Sequence, residues 1–200
     1  KQTLTPQARK HFGLFRSPFE EPRLVEDVWM GDRVRYVRES LWDTARNGGF
    51  RVVVGESGSG KSTLREELAD RIVRENARVQ VIEPYVLGLE DSETRGTPLR
   101  STQIAEAIIG KLAPTERPRQ SPQMRFEQCH RALIESCRAG YTNLLQIEEA
   151  HCLPISTLKH LKRFAELKDG LRPVLGIVLY GQTELATKLD GKSAAVREVT

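Results

Sequence analysis

The residues best suited to chemistry form a glycine-rich turn that follows a strand-like run. Residues 52–63 read VVVGESGSGKST, and Gly55–Ser62 fit the phosphate-binding pattern G-x-x-x-x-G-K-S/T. In such a P-loop the backbone N–H groups point at phosphate oxygens, Lys61 adds a positive charge, and the Ser62 hydroxyl is a ligand for Mg²⁺. The alternative is a glycine turn that matches by chance. Apolar residues at helical spacing from Leu64 onward argue against it, because the motif requires a helix there.

The loop and the first helical residues after it are the candidate contacts to a nucleoside triphosphate. They are Gly55, Glu56, Ser57, Gly58, Ser59, Gly60, Lys61, Ser62 and Thr63. The helix that begins near Lys61 directs its positive N-terminal end at the same place, which favours a bound anion. Lys61 is therefore also predicted to act on the phosphates during the reaction.

A second reactive group is the acidic pair Glu148 and Glu149, which follows the mostly apolar run 144–147. Hydrolysis needs a carboxylate that organises the metal and a base that acts on water, both at the C-terminal end of a neighbouring strand. The sequence predicts that Glu148 holds the Mg²⁺ hydration shell and that Glu149 polarises the attacking water. The alternative is a surface pair of acids at the start of a helix, where the helix dipole favours them.

Strand-like and helix-like patterns alternate along the chain, which predicts a parallel sheet covered by helices on both faces. The predicted strands are 50–54, 79–82, 142–147 and 173–180. The predicted helices are 32–47, 61–75, 101–113, 123–139, 155–168 and 183–189, with another from Val196. Residues 84–100 are predicted to be a long connection. The aromatic and proline-containing residues 1–31 are predicted to form an ordered arm on a core domain of residues 32–200.

Composition narrows the class of protein. The 200 residues are 38% hydrophobic and 29% charged, as in a globular domain, and no apolar run is long enough to cross a bilayer. Residues 1–20 lack the apolar core of a signal peptide, and the three cysteines lack metal-ligand spacing, so we expect a cytoplasmic protein without membrane contact. The net charge of +4 permits a polyanionic partner without requiring one.

The P-loop, together with a strand that ends in two acids and Ala150-His151, resembles the AAA+ ATPases. The opening 11–19 is similar to the F-G-L-x-x-x-P-F start of ATPases that include the general secretion pathway ATPase. Four further stretches resemble a branch found in Mu-like transposable phages, the transposition protein B ATPases, which are relatives of Tn7-like target-selection ATPases. These stretches are 81–85, 147–153, 158–164 and 181–185.

The resemblance implies an α/β P-loop NTPase fold: a three-layer sandwich with a parallel five-stranded sheet and a C-terminal lid that is absent or truncated. It implies ATP and Mg²⁺ bound in a homo-oligomer, either a ring or a helical filament. The filament would form on duplex DNA in a bacterial host and deliver target DNA to a phage transposase. Two alternatives stay open: a secretion-type ATPase that remodels the cell envelope, and an ATP-gated interaction module with little hydrolysis.

The resemblance also implies roles for single residues. Gln182 follows the predicted strand 173–180 at the "sensor 1" position, where the alternative is an ordinary helix-start residue. Arg197 is the candidate arginine finger. One residue departs from the family pattern, because the first acid is Glu148 where Asp is usual. Its carboxylate lies about 1.5 Å further from the backbone, which predicts intact binding and slow hydrolysis.

The predicted helix 155–168 is basic and amphipathic. Four of its residues are candidate DNA contacts: Lys159, His160, Lys162 and Arg163. Repeated in each subunit of an assembly, they would form a cationic track that binds phosphates without reading sequence. The alternative is a solvated amphipathic helix. Arg117 and Arg119, in the proline- and arginine-rich loop 114–122, are a secondary DNA candidate.

Overall fold

The structure is a computed structural model that describes residues 4–15, 31–84 and 99–189. The chain divides between Gly31 and Asp32 into two compact units. In the first unit, helix α1 (Pro6–His11) is capped by the preceding Thr5, whose side-chain oxygen accepts a hydrogen bond from the Ala8 N–H at 3.2 Å. Packing of this arm on the core domain stays a prediction.

The second unit alternates strands with helices as predicted. Its helices are α2 (Asp32–Asn47), α3 (Lys61–Arg74), α4 (Ser101–Leu112), α5 (Pro122–Arg138), α6 (Ile155–Ala165) and α7 (Thr183–Leu189). Its strands are β1 (Gly49–Val54), β2 (Val79–Ile82), β3 (Thr142–Ile147), β4 (Lys168–Asp169), β5 (Arg172–Pro173) and β6 (Gly176–Gly181). A short 3₁₀ helix (Ala150–Cys152) lies between β3 and α6. The helix predicted from Val196 lies outside the described residues.

Four parallel strands form the main sheet in the order β1-β6-β3-β2. Val52 pairs with Leu179 and Ile147 pairs with the same residue from the other side, so β1, β6 and β3 end at one edge. The described residues thus supply four of the five expected strands. Because the chain reverses direction at this edge after β1, β3 and β6, the residues that follow these strands are brought together.

Helices cover both faces of the sheet, which confirms the predicted layers. One face packs against α2 and α3 through a cluster that includes Leu41, Leu68 and Tyr180. The other face packs against α4, α5, α6 and α7 through a larger cluster that includes Ile108, Leu133 and Leu161. Every residue of β6 is buried, as expected for a central strand between two helical layers.

The segment between α6 and β6 differs from the prediction. Helix α6 ends at Ala165 rather than 168, and β4 and β5 form a short antiparallel hairpin in place of the start of a long strand. Gly170 has a φ of +64° and occupies the first of the two turn positions, which suits a two-residue hairpin loop. Two hydrogen bonds of 2.9 Å from the Arg138 guanidinium to Asp169 tie this hairpin to α5.

Candidate functional site

The P-loop connects β1 to α3 and depends on its glycines. Gly58 and Gly60 have φ values of +76° and +88°, in the left-handed region that glycine adopts without strain. A side chain at Gly55 would bring its Cβ within 2.5 Å of the Ser59 hydroxyl oxygen. The Ser59 N–H in turn donates to the Glu56 carbonyl at 3.2 Å. The loop is therefore closed on itself as a phosphate cradle must be.

The Lys61 side chain folds back over the loop. Its ammonium group donates to the carbonyls of Gly55 and Glu56, both at 2.8 Å. This places the positive charge over the concave loop. A bound phosphate would replace the two carbonyls as the hydrogen-bond acceptor of the Lys61 ammonium group. Ser62 and Thr63 lie in the first turn of α3, whose N-cap is Gly60.

Glu148 lies beside that first turn, although it comes from β3. Its carboxylate oxygen is 3.2 Å from Arg65 Nε, and Arg65 is one helical turn beyond Ser62 on α3. The structure therefore brings the predicted metal residue to the P-loop helix, through a residue that the sequence did not single out. No pattern in the sequence distinguishes Arg65 from other surface arginines of α3.

Arg65 binds a second acid, Glu83, which follows β2. The guanidinium donates to the Glu83 carboxylate at 2.9 Å. Partial burial is the largest single influence on the pKa of Arg65 and lowers it, but Glu83 and Glu148 together outweigh burial and hold this pKa above its usual value. Arg65 thus remains a cation between two carboxylates.

The same contacts continue into the middle of the sheet. Gln146 on β3 donates to the Glu83 carboxylate at 3.2 Å and accepts a hydrogen bond of 2.8 Å from the Tyr180 hydroxyl on β6. Tyr180 is 1% exposed, and burial raises the pKa of its hydroxyl. Hydrogen bonds therefore connect a buried phenol through Gln146 and Glu83 to Arg65, and the 3.2 Å ion pair continues the series to Glu148.

Glu149 contacts His151, whereas Glu148 contacts Arg65. Its φ of +49° lies in the left-handed region, which is uncommon for a residue with a side chain and recurs at functional sites. Its carboxylate is 3.5 Å from His151 Nε2. The backbone N–H of Gln182 donates to His151 Nδ1 at 3.4 Å. The predicted base and the predicted sensor are therefore linked through one imidazole.

The residues that would hold Mg²⁺ offer the ligands that this ion prefers. Ser62 supplies a hydroxyl and Glu148 a carboxylate, both oxygen donors. Ser62 is exposed and the Glu148 side chain is 39% exposed, so both are accessible to a hydrated cation. This donor set fits Mg²⁺, and the Arg65 guanidinium would share Glu148 with it.

The basic helix α6 presents its charges unevenly. Leu158, Leu161 and Phe164 are buried in the core, so the residues between them face outward. Arg163 is exposed, whereas Lys159 and Lys162 are half-buried. The His160 ring stacks on Phe126 of α5, with ring centroids 5.8 Å apart and an interplanar angle of 8°. The four predicted DNA contacts therefore do not share one open surface, and His160 lies against the neighbouring helix.

Two further predictions concern the arginine finger and the membrane. Arg197, the candidate arginine finger, lies outside them. No helix within residues 4–15, 31–84 and 99–189 combines the length and the apolar character needed to cross a membrane.

Fold and site together define a P-loop nucleotide-binding domain of the α/β class. The chain belongs to the family described as AAA domain, whose model matches residues 44–189. It is 23% identical over 182 residues to general secretion pathway protein A of Aeromonas hydrophila, covering 89% of this chain and 30% of that protein.

Solved structures agree on the fold. Cdc6p from Pyrobaculum aerophilum superposes with a TM-score of 0.61 at 18% identity, covering 92% of this chain and 46% of that one. The ORC2 protein of Aeropyrum pernix, in ADPNP–ADP complexes, gives a TM-score of 0.55 at 15% identity, with 83% and 44% covered. The chain therefore spans less than half of each of these proteins. The predicted α/β P-loop fold is confirmed, and membership of the transposition protein B branch stays a prediction.

Proposed function

We propose that this domain binds ATP with Mg²⁺ and hydrolyses it. The observation that supports the proposal is the 3.2 Å contact between Arg65 and Glu148, because it brings the carboxylate of Glu148, the proposed metal ligand, beside the P-loop helix. The P-loop amides and Lys61 bind the phosphates, and Ser62 and Glu148 hold Mg²⁺. When bound, the metal neutralises charge that develops on the phosphate oxygens.

Glu149 is the proposed general base. It is 52% exposed in its side chain and stands at the strand edge that carries the P-loop, so a water molecule can reach it. The carboxylate accepts a proton from this water while the water oxygen forms a bond to the terminal phosphorus. The bond from that phosphorus to the bridging oxygen breaks, and ADP and phosphate are released. Gln182 follows β6 at the same edge and is proposed to orient the water or the phosphate by hydrogen bonding.

The test compares nucleotide binding with hydrolysis in purified variants. Lys61→Ala should abolish ATP binding, whereas Glu149→Gln should bind ATP normally and lose hydrolysis by about 10²- to 10⁴-fold. Glu166→Gln, an exposed glutamate at the end of α6, is the matched control and should behave as wild type. Hydrolysis at the wild-type rate by Glu149→Gln would reject the proposal.

We further propose duplex DNA as the partner, with α6 as one contact and the loop 113–121 as another. This loop connects α4 to α5 and is held rigid from beneath by Gln128, which is 4% exposed. The Gln128 side chain donates to the Glu116 carboxylate at 2.7 Å and accepts from the Arg119 N–H at 3.1 Å. Arg125 donates to the Arg119 carbonyl at 2.8 Å.

A rigid loop of this kind presents its outward side chains in one arrangement. Arg117 and Arg119 are exposed, and the carboxylate of Glu116 in the same loop forms its 2.9 Å ion pair with Arg131 rather than with either of them. Guanidinium groups bind phosphate through paired N–H donors, so this pair suits a sugar-phosphate backbone. Because the loop is already ordered, it would lose little conformational entropy when DNA binds.

Charge reversal tests both contacts. Lys159→Glu with Lys162→Glu, and separately Arg117→Glu with Arg119→Glu, should weaken duplex binding and lower the salt slope by about 0.9 per lost phosphate contact. ATP binding should be unchanged. Arg33→Glu with Arg35→Glu, at exposed positions of α2 on the opposite face, is the charge-matched control. Equal losses in all three variants would reject specific contacts at α6 and the loop.

The finer proposal is that a DNA-bound oligomer delivers target DNA to a phage transposase in the bacterial cytoplasm. It is supported by the sequence resemblance and the basic charge, whereas the Aeromonas relative favours a secretion-type ATPase. Electron microscopy with ATP separates the two. Filaments that need DNA support transposition, rings indifferent to DNA support secretion, and a lack of assembly supports an ATP-gated interaction module.

A further inference from the structure

His151 has no part in the scheme above, yet it contacts both sides of the reacting centre. One ring nitrogen, Nε2, is 3.5 Å from the Glu149 carboxylate, and the other, Nδ1, accepts the Gln182 backbone N–H at 3.4 Å. Because Nδ1 is an acceptor, the neutral ring must carry its proton on Nε2. The imidazole N–H is therefore on the ring nitrogen that lies 3.5 Å from the carboxylate of the proposed base.

The backbone around His151 is held by a hydrogen bond within its own turn and by Lys188 from α7. The Cys152 N–H donates to the Glu149 carbonyl at 2.9 Å, which closes the 3₁₀ turn that contains His151. Lys188 on α7 donates to the His151 carbonyl, and to the Leu153 carbonyl at 3.3 Å. The imidazole thus stands on a turn that is attached to α7 as well as to β3.

The end of β6 approaches this turn directly, backbone against backbone. A Cβ on Gly181 would lie 3.3 Å from the His151 backbone nitrogen and 2.6 Å from Leu185 Cδ2. The absence of a side chain at Gly181 allows the Gln182 N–H to reach the imidazole. A shift of the Gln182 backbone would therefore move the ring, and the ring would move the Glu149 carboxylate.

We infer that His151 is a positioning residue that couples Glu149 to Gln182. Through Nε2–H it fixes the direction of the Glu149 carboxylate, and through Nδ1 it ties that direction to the end of β6. Base and sensor then reach their working geometry together. The inference rests on the proposed hydrolysis, and it assigns His151 to the chemical step rather than to nucleotide binding.

Three variants separate the two contacts of the ring. His151→Ala removes both, His151→Gln places an amide donor near the position of Nε2, and His151→Asn places an acceptor near that of Nδ1. His151→Ala should lower kcat by about 10-fold or more, a part of the effect of a positioned base, and leave KM and the ATP Kd within about 2-fold. His151→Gln should recover more of kcat than His151→Asn. Equal loss in all three, or a loss confined to KM, would overturn the inference.

A double-mutant cycle distinguishes failure of the inference from failure of the proposed function. In a Glu149→Gln background, His151→Ala should cause no further loss, because the carboxylate that it positions is gone. If Glu149→Gln itself hydrolyses ATP normally, the proposed function is rejected. If Glu149→Gln is inactive and His151→Ala is fully active, only the positioning role is rejected.

A measurement without turnover completes the test. Nitrogen-15 NMR of the nucleotide-free wild-type protein, recorded at a pH high enough to deprotonate the imidazolium, should show the remaining ring proton on Nε2. In His151→Ala the Gln182 amide resonance should shift, while thermal unfolding should show that the variant is folded. A proton on Nδ1, or an unchanged Gln182 amide, would overturn the inference.

Discussion

Arg65 is the residue that gives the unusual glutamate at position 148 a place in the site. An aspartate there would end about 1.5 Å closer to the backbone and would leave the 3.2 Å contact with Arg65 open. The longer side chain closes that contact and directs the carboxylate toward α3. The Arg65 guanidinium would therefore compete for the Glu148 carboxylate with the metal that we propose it binds.

Shortening Glu148 should release the metal ligand from this competition. We expect Glu148→Asp to raise the steady-state rate of ATP hydrolysis, most clearly at limiting Mg²⁺, because Mg²⁺ tolerates little error in ligand position. The measurement is phosphate release across a Mg²⁺ titration, with Glu166→Asp as the control. An unchanged rate would remove slow metal placement as an explanation for any slow turnover.

Removing the shared cation should lower stability. In Arg65→Gln, the carboxylates of Glu83 and Glu148 lose their common partner, and both are partly exposed, so water compensates in part. We expect a loss of about 1 kcal/mol, which corresponds to a fall of about 2–4 °C in Tm for a domain of this size. Thermal unfolding measures it, and Arg33→Gln at an exposed position should leave Tm unchanged. A Tm of Arg65→Gln equal to that of wild type would contradict the stabilising role.

At the scale of elements, strand β6 is held between two helical layers by a close approach at its start. A Cβ on Gly176 would lie 2.4 Å from the Thr44 carbonyl oxygen of α2. Since the obstacle is helix backbone rather than a flexible side chain, α2 would have to move away from the sheet.

Gly176→Ala should therefore be destabilising, by about 1–3 kcal/mol as in other overpacked cores. Gly110→Ala is the matched control, because a Cβ there meets nothing within 4 Å and position 110 lies inside α4. The control should gain about 0.5–1 kcal/mol of stability, because alanine loses less backbone conformational entropy than glycine when the helix forms. Urea unfolding measures the free energy of unfolding of both variants. A Gly176→Ala variant as stable as wild type would contradict the close approach.

The sequence predicts the elements with strong periodicity and misses the short ones. The strands 79–82 and 142–147 match the structure, as does helix 183–189, because apolar spacing over several residues signals each element. The β4–β5 hairpin has two residues in each strand, too few to show a period. Gly170, a glycine at the first of the two loop positions, is a known hairpin signal that marks it.

The candidate site divides along similar lines. The P-loop is contiguous, and Glu148 and Glu149 follow a buried strand, so both groups are predictable from the sequence. Arg65 and Glu83 come from α3 and the end of β2, and their contacts with Glu148 depend on how these elements pack. The link from His151 to Gln182 likewise requires the close approach at Gly181.

At the scale of the molecule, we propose that the active site is completed by a neighbouring subunit. Lys61→Ala and Arg197→Ala should each be inactive alone, the first without nucleotide and the second without the arginine that acts in trans. Mixed together, they should regain part of the wild-type ATPase rate, because some interfaces then combine an intact P-loop with an intact Arg197. No recovery on mixing would contradict a site shared between subunits.

The packed interior should also protect its thiols. Burial raises the pKa of Cys129 to about 12, so its reactive thiolate is scarce at neutral pH. Cys152 is only partly buried. A thiol reagent at pH 8 should modify Cys152 in the native protein and reach Cys129 only on unfolding, with Cys152→Ser as the control. Rapid native labelling of Cys152→Ser would contradict this order.

The strand order β1-β6-β3-β2 carries a consequence for how the domain opens. Among the described residues, β6 and β3 have strand neighbours on both sides, whereas β1 pairs with β6 alone. Amide protons of the inner strands should therefore exchange with solvent last, and those on the outer side of β1 early. The phosphate-binding loop is attached to this less protected border. A bound triphosphate would hold the loop against the end of β6 and slow hydrogen exchange along β1, so that the ligand would stabilise one of the two borders of the sheet.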